Sequence, residues 1–227
     1  MFFRNLAISI FPKPTPNYTM KTFEQWDIDE VERTFQLCVQ DNNKTLTRWL
    51  QARHEPTDTE NTIISRLQKD IRRSIDAWNE DELKFKFIAP LVSLIGFNTD
   101  KFQAFTQRTL TAEVDSIKLS GRVDFLVATG KSKPIQPFFF LHEYKRLRGR
   151  ENDPLAQLLV EMLAAQELNE HKFPMYGCHV IGRNWFFVVL EGRNYAESNQ
   201  YSVSDDGLYK VFSILKEAKA IITKLTA

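Results

Sequence analysis

Cysteine is almost missing from this chain of 227 residues: only Cys38 and Cys178 occur, far apart in sequence. That excludes a disulfide framework and a cysteine-rich zinc site. Glycine and proline are sparse, at 8 and 9 residues, and 43% of the chain is hydrophobic. Such a composition excludes a disordered or collagen-like chain and leaves ample material for a buried core. No apolar run approaches the roughly 18–20 residues that span a bilayer, so no membrane association is expected and the expected location is cytoplasmic. An excess of one charge is lacking too: 30 Lys+Arg stand against 29 Asp+Glu, for a net +1. Binding to nucleic acid by bulk charge is therefore excluded, though a local basic patch is not. The histidines, His54, His142, His171 and His179, have no metal-type spacing. What abounds is phenylalanine, 18 residues against 4 Trp and 6 Tyr.

Residues 1–19 read as an N-terminal extension. Their apolar start lacks a basic segment and a small-residue cleavage site, and Pro12-Lys13-Pro14-Thr15-Pro16 reads as a linker. Residues 20–78 read as a helical region, and 79–227 as an α/β core with a C-terminal helix, the two forming one structural unit. Asp27-Ile28-Asp29-Glu30 carries a helix start, followed by Val31, Phe35 and Val39 at helical spacing. The polar segment 41–45 reads as an interruption. Over 60–78, Ile63, Ile64, Leu67, Ile71, Ile75 and Trp78 form one face, and Arg66, Lys69, Arg72 and Arg73 the other. A helix over 81–95 should stop at Gly96 and be kinked by Pro90. The period then changes to that of strands, over 102–118, 121–128 and 138–145. Asp153-Pro154 pairs an N-cap with a first-turn proline, starting a helix over 154–169. Strands over 176–182 and 185–190 and an amphipathic helix over 208–225 complete the chain. The expected class is α/β, a mixed sheet flanked by helices, with extra N- and C-terminal helices.

The chemistry lies in Gly121-Arg122-Val123-Asp124-Phe125 and Phe138-Phe139-Phe140-Leu141-His142-Glu143-Tyr144-Lys145. In the second strand Phe139, Leu141, Glu143 and Lys145 should share one face, and Phe138, Phe140, His142 and Tyr144 the other. Both faces are apolar, as in a strand covered on both sides. A hairpin closed by loop 130–137, with Thr129 opposite Phe138, sets Asp124 directly opposite Glu143. Two facing carboxylates repel, and burial worsens the repulsion. A divalent cation between them removes the conflict, and an all-oxygen donor set favours Mg²⁺. Lys145 would then orient or deprotonate a water, or neutralise charge on a phosphoryl group. A buried Glu–Lys pair without metal is the plainer alternative.

The pattern Asp124 … Glu143-Tyr144-Lys145 resembles the PD-(D/E)XK nuclease superfamily, the restriction-endonuclease-like fold, with Val123 in place of the proline of its name. The superfamily order of helix, three strands, helix and two strands is similar to the order over 81–190. The segment Asp81-Glu82-Leu83-Lys84-Phe85-Lys86-Phe87-Ile88-Ala89-Pro90-Leu91 looks like the first helix of uncharacterised bacterial members. The resemblance implies Asp124 and Glu143 as metal ligands, with the Tyr144 carbonyl a third, and Lys145 positioning the attacking water. It implies an acidic ligand on the first helix, Glu82 or else Glu80, and a polar contribution from Gln157. It further implies phosphodiester hydrolysis of nucleic acid, DNA over RNA, with Mg²⁺ or Mn²⁺ as a substitute. A homodimer is one way to cut both strands. A catalytically silent interaction module is the alternative.

Residues 131–150 hold Lys131, Lys133, Lys145, Arg146, Arg148 and Arg150 against Glu143 alone, a net +5 that leaves −4 elsewhere. Lys131, Lys133, Arg146, Arg148 and Arg150 are accordingly the candidate nucleic-acid contacts.

Overall fold

The computed structural model describes residues 21–145 and 153–227. Arg146, Arg148, Arg150 and the extension 1–19 lie outside them.

Alternating strand patterns flanked by amphipathic helices produce a mixed α/β sandwich. Among the described residues its strands are β1 (Cys38–Val39), β2 (Gln103–Val114), β3 (Ile117–Thr129), β4 (Ile135–Lys145), β5 (Met175–Ile181), β6 (Asn184–Glu191), β7 (Asn194–Glu197) and β8 (Tyr201–Ser202). They join in the order β1-β7-β6-β5-β4-β3-β2, with β8 beside β6. The β1–β7 and β4–β5 pairs are parallel, the others antiparallel. The helices are α1 (Ile28–Phe35), α2 (Lys44–Leu50), α3 (Asp58–Ser74), a composite α4 from Glu80 to Ile95, α5 (Pro154–Leu168) and α6 (Gly207–Leu225). One side of the sheet packs on α2, α3, α4 and α6, where Trp49, Ile64, Phe87 and Phe212 meet Phe125 and Phe140. The other side packs on α1 and α5.

Helix α5 is the connection between the parallel strands β4 and β5. Asp153 caps it, accepting from the N–H groups of Leu155 and Ala156. The same residue's second oxygen accepts from the N–H of Ile28, tying α1 to the start of α5. Residues 156–166 are buried all round, which accounts for a helix with no polar face.

In α4, a proline that cannot donate to the residue four back is absorbed by a π-helical stretch, Lys84–Ile88, between Glu80–Leu83 and Ala89–Ile95. The N–H of Ala89 reaches back five residues to Lys84. Pro90 thus leaves the helix continuous to Gly96, whose φ of 74° closes it.

Several expected boundaries move. Ser120-Gly121 lies inside β3, and the hairpin turns instead at Asp115-Ser116, both at positive φ, 50° and 65°. A two-residue turn of that hand matches strand twist. The polar segment 41–45 starts α2, because the Asn43 side chain accepts from the N–H of Leu46. Helix α1 ends at left-handed Gln36, so Val39 falls on strand β1 rather than on the helix. Strands β1, β7 and β8 span only two to four residues, too short for a periodic signal.

Gly121 meets a steric demand: a Cβ there would lie 2.5 Å from the Phe23 ring, which covers β3 from the 3₁₀ turn Phe23–Gln25. Gly121→Ala should lower the unfolding free energy by about 1–3 kcal/mol. The loss should shrink when Phe23→Ala is added, because the two residues share one contact. Urea denaturation of the two single variants and the double variant checks this.

Candidate active site

The register that faces Asp124 with Glu143 continues the observed pairs Phe125–His142, Leu126–Leu141 and Val127–Phe140. The ladder itself ends at Phe125–His142, one position short of that pair, and the hairpin reaches these pairs by another route. Two register shifts pair Ala128 with Phe138 and Thr129 with Ile135, so the closure differs from a plain loop over 130–137. The skip at Phe139 corrects the expected faces. Phe139 and Phe140 lie in the core under α4 and α6, while Phe138 lies in the core under α5.

A second irregularity places Asp124. The β2–β3 ladder pairs Thr106 with Phe125 and Arg108 with Val123, but skips Gln107 and Asp124. Gln107 has φ 53°. Across this point both strands change sides: Val123 packs under α5 and Phe125 on the opposite core. Asp124 therefore stands where the alternation is interrupted, and its carboxylate leaves the ladder for three donors. Oδ1 accepts from Lys84 Nζ at 2.9 Å and Gln107 Nε2 at 2.5 Å, and Oδ2 from the N–H of Tyr144 at 3.2 Å. Lys84 also meets Glu80 Oε1 at 2.6 Å. The carbonyl of Tyr144 lies on the same side of its strand as that N–H.

Glu143 is only 1% exposed. Its Oε1 lies 2.8 Å from Lys145 Nζ, and its Oε2 is buried with no partner. Burial, aided by the negative charge of Asp124 and opposed by Lys145, pushes its carboxyl from 4.5 up to about 8. Burial works to lower the Lys145 ammonium, but Glu143 outweighs it and the net direction is upward. Lys145 is thus a stable cation, suited to holding an anion or a water oxygen rather than to removing a proton. Behind this pair, on α5, Gln157 Nε2 donates to Glu161 Oε1 at 3.1 Å. Gln157 Oε1 and Glu161 Oε2 are buried and unpartnered. Burial first, and then Glu143, drives the Glu161 carboxyl well above its ordinary value.

These groups line a cleft of about 340 Å³ that holds Asp124, Glu143, Lys145 and Gln157 together with Glu24, Glu80, Asp81, Lys84, Gln107 and Arg122. Glu82 is not among them. Its Oε2 accepts from the N–H of Asn79 and its Oε1 pairs with Lys86 at 2.6 Å, so it caps its own helix. The acidic residue that α4 brings to the cleft is Glu80, four residues before Lys84, with Asp81 beside it. Lys131 and Lys133 are exposed in the β3–β4 connection. They precede Ile135, the first residue of β4, whose length of roughly 30 Å at strand rise separates that end from Lys145. Of the basic residues in this segment that are described, Lys131 and Lys133 therefore lie at the opposite end of the strand from Lys145. His142 turns to the other side, with Nδ1 2.8 Å from the Tyr144 hydroxyl.

Lys84, Gln107, Arg122, Glu24 and Glu161 escape sequence reasoning. Glu80 and Lys84 carry a helical i,i+4 signal, and Glu161 is the one charge in the run Leu158–Ala165. Gln107 carries none, because only its backbone conformation and its partner strand give it a role.

Among the described residues no group of three or more His, Cys, Asp or Glu side chains is arranged to hold a metal ion. A Mg²⁺ site needs fewer: one or two carboxylates, completed by carbonyl and water. The all-oxygen donors Asp124 and Glu143 fit that description, with Glu143 Oε2 free to coordinate. Asp124 Oδ1 would exchange Lys84 for the cation. No family model matches the chain, and no curated protein matches it in sequence.

A carboxyl raised by folding binds a proton that the unfolded chain releases near pH 4.5, so stability falls as pH climbs from there towards 8. Chelator-treated protein should therefore lose denaturation free energy between about pH 5 and 8. Glu143→Gln should flatten that slope, as urea titrations across the range would read.

Proposed function

We propose that this chain is a Mg²⁺-dependent nuclease of the PD-(D/E)XK kind, hydrolysing phosphodiester bonds in nucleic acid, DNA in preference to RNA, with Mn²⁺ able to replace Mg²⁺. The observation that carries the reading is the buried, unpartnered Glu143 Oε2, beside Lys145 and in one cleft with Asp124. Support comes from charge as well. The cleft wall has five carboxylates against three cations, an environment that repels a phosphodiester unless a metal ion mediates. The order α4-β2-β3-β4-α5-β5-β6 agrees with the superfamily core.

Asp124 and Glu143 would hold the ion, with the Tyr144 carbonyl as a further oxygen, and Gln157 would keep Glu161 turned beneath them. The bound ion would supply Lewis acidity to a phosphoryl oxygen and acidify a water. Lys145, fixed by Glu143, would hold the attacking water and offset charge on the phosphoryl oxygens. Gln107 and the Tyr144 N–H keep the Asp124 carboxylate aimed into the cleft.

Lys84 favours a second reading. Its ammonium already neutralises Asp124, as it would in a nuclease-fold module that binds nucleic acid or protein without cutting.

Purified protein should cleave DNA in Mg²⁺ or Mn²⁺ and not in chelator. Asp124→Ala and Lys145→Ala should each reduce the rate about a hundredfold or more. Cleavage that survives both substitutions would reject the assignment. Absence of cleavage together with absence of Mg²⁺ binding by calorimetry would select the silent module.

A further inference from the structure

Beside the polar cleft lies a second hollow of about 600 Å³, within the range of roughly 300–1,000 Å³ typical of ligand sites. The two share Asp81, Lys84, Gln107 and Asp124 as a common wall. Beyond that wall the character changes. Phe85, Ile88 and Val92 of α4 and Phe125 of β3 make an apolar surface, with Asn98 and Thr106 as isolated polar groups. Phe85 is 80% exposed, a benzyl ring left in water at the edge of the hollow. It sits in the π-helical stretch of α4, one residue after Lys84.

We infer that this hollow takes an unpaired nucleobase of the nucleotide whose phosphate occupies the Asp124–Glu143 cleft, with Phe85 as its stacking surface. The inference rests on the nuclease reading for the identity of the cleft's occupant. A nucleotide joins an anionic phosphate to a flat, largely apolar ring with hydrogen-bonding edges. The two adjoining compartments have the same division, the apolar one carrying a few polar groups that suit a base edge. Bases in a duplex have their faces covered by their neighbours and cannot enter a concave site. A base must be unstacked and unpaired to do so, as in single strands or an extruded nucleotide. The substrate class that follows is single-stranded nucleic acid, or a strand opened at the cutting position.

The test measures binding of the full chain, by fluorescence anisotropy with Ca²⁺ replacing Mg²⁺. The probes are a short single-stranded DNA, its fully paired duplex and single strands carrying abasic positions. Cleavage of the same DNAs in Mg²⁺ is followed separately. Single strands should bind roughly tenfold or more tighter than the duplex, and abasic positions should remove about as much. Phe85→Ala and Ala89→Trp, which remove the stacking ring and fill the hollow, should make intact and abasic strands bind alike. Both positions are exposed, so the variants should keep the parent melting temperature, and the abasic comparison needs no variant at all. Cleavage with equal affinity for duplex and single strand, unchanged by either substitution, would overturn the base pocket and leave the nuclease reading intact. Base-dependent binding without cleavage would support the pocket and count against catalysis. No binding to any of the DNAs would overturn the pocket. Concentration-dependent association abolished by Phe85→Ala would then assign the hollow to a second copy of the chain.

Discussion

Glu143 holds a carboxyl group out of water on an interior strand of the sheet, with Lys145 as its direct counter-charge. A carboxylate in such a place costs several kcal/mol in lost hydration, and one of its oxygens has no hydrogen-bond donor at all. The surroundings are organised around that cost. Lys145 follows on the same face of the strand, two residues along. Asp124 is held by Lys84, Gln107 and a backbone N–H, which offset its charge beside Glu143. Glu161 faces the same region from α5, and burial first, then Glu143, pushes its carboxyl upward. A site with more buried acceptors than donors is suited to receiving a cation.

The sheet makes room for this chemistry by breaking its own regularity. A continuous β2–β3 ladder would direct Asp124 into one core or the other. The left-handed Gln107 interrupts the alternation, so that the apolar residues on either side of Asp124 serve opposite cores. Helix α4 shows a comparable accommodation. Its π-helical stretch absorbs Pro90 and carries Lys84 to Asp124 and Phe85 into solvent from adjacent positions. Polar cleft and apolar hollow therefore meet along one wall, Asp81 and Lys84 from the helix and Gln107 and Asp124 from the strands, where helix and strands both depart from ideal geometry.

Much of this was legible in the chain. The run Phe138–Leu141 before Glu143 marks a strand covered on both faces, and Asp153-Pro154 marks the start of a helix that does begin there. Alternation and the simplest register pointed to Asp124 and Glu143 as neighbours, and the two do line one cleft, though the observed ladder ends at Phe125–His142. Other features were not legible, for identifiable reasons. Glu82 and Glu80 lie within one helical turn, and which of them faces the sheet depends on helix rotation, with Glu82 committed to the Asn79 cap. Lys131, Lys133 and Lys145 look like one patch because sequence distance hides the length of the extended strand between them. Gly121 reads only as the start of a strand, and nothing near it in sequence shows that Phe23, nearly a hundred residues away, needs its missing side chain.

Sequence by itself determined the class of the fold, the strands that carry Asp124, Glu143 and Lys145, and the conflict between two carboxylates in an apolar setting. These depend on periodicity and on neighbours a few positions away, which the chain states directly. Tertiary structure alone decided that Lys84 and Gln107 hold Asp124, that Glu161 lies behind Glu143, and that an apolar hollow adjoins the cleft. Each of these joins segments distant in the chain. Their juxtaposition depends on sheet register, on a local reversal of alternation and on the rotation of a helix, none of which has a local sequence signal.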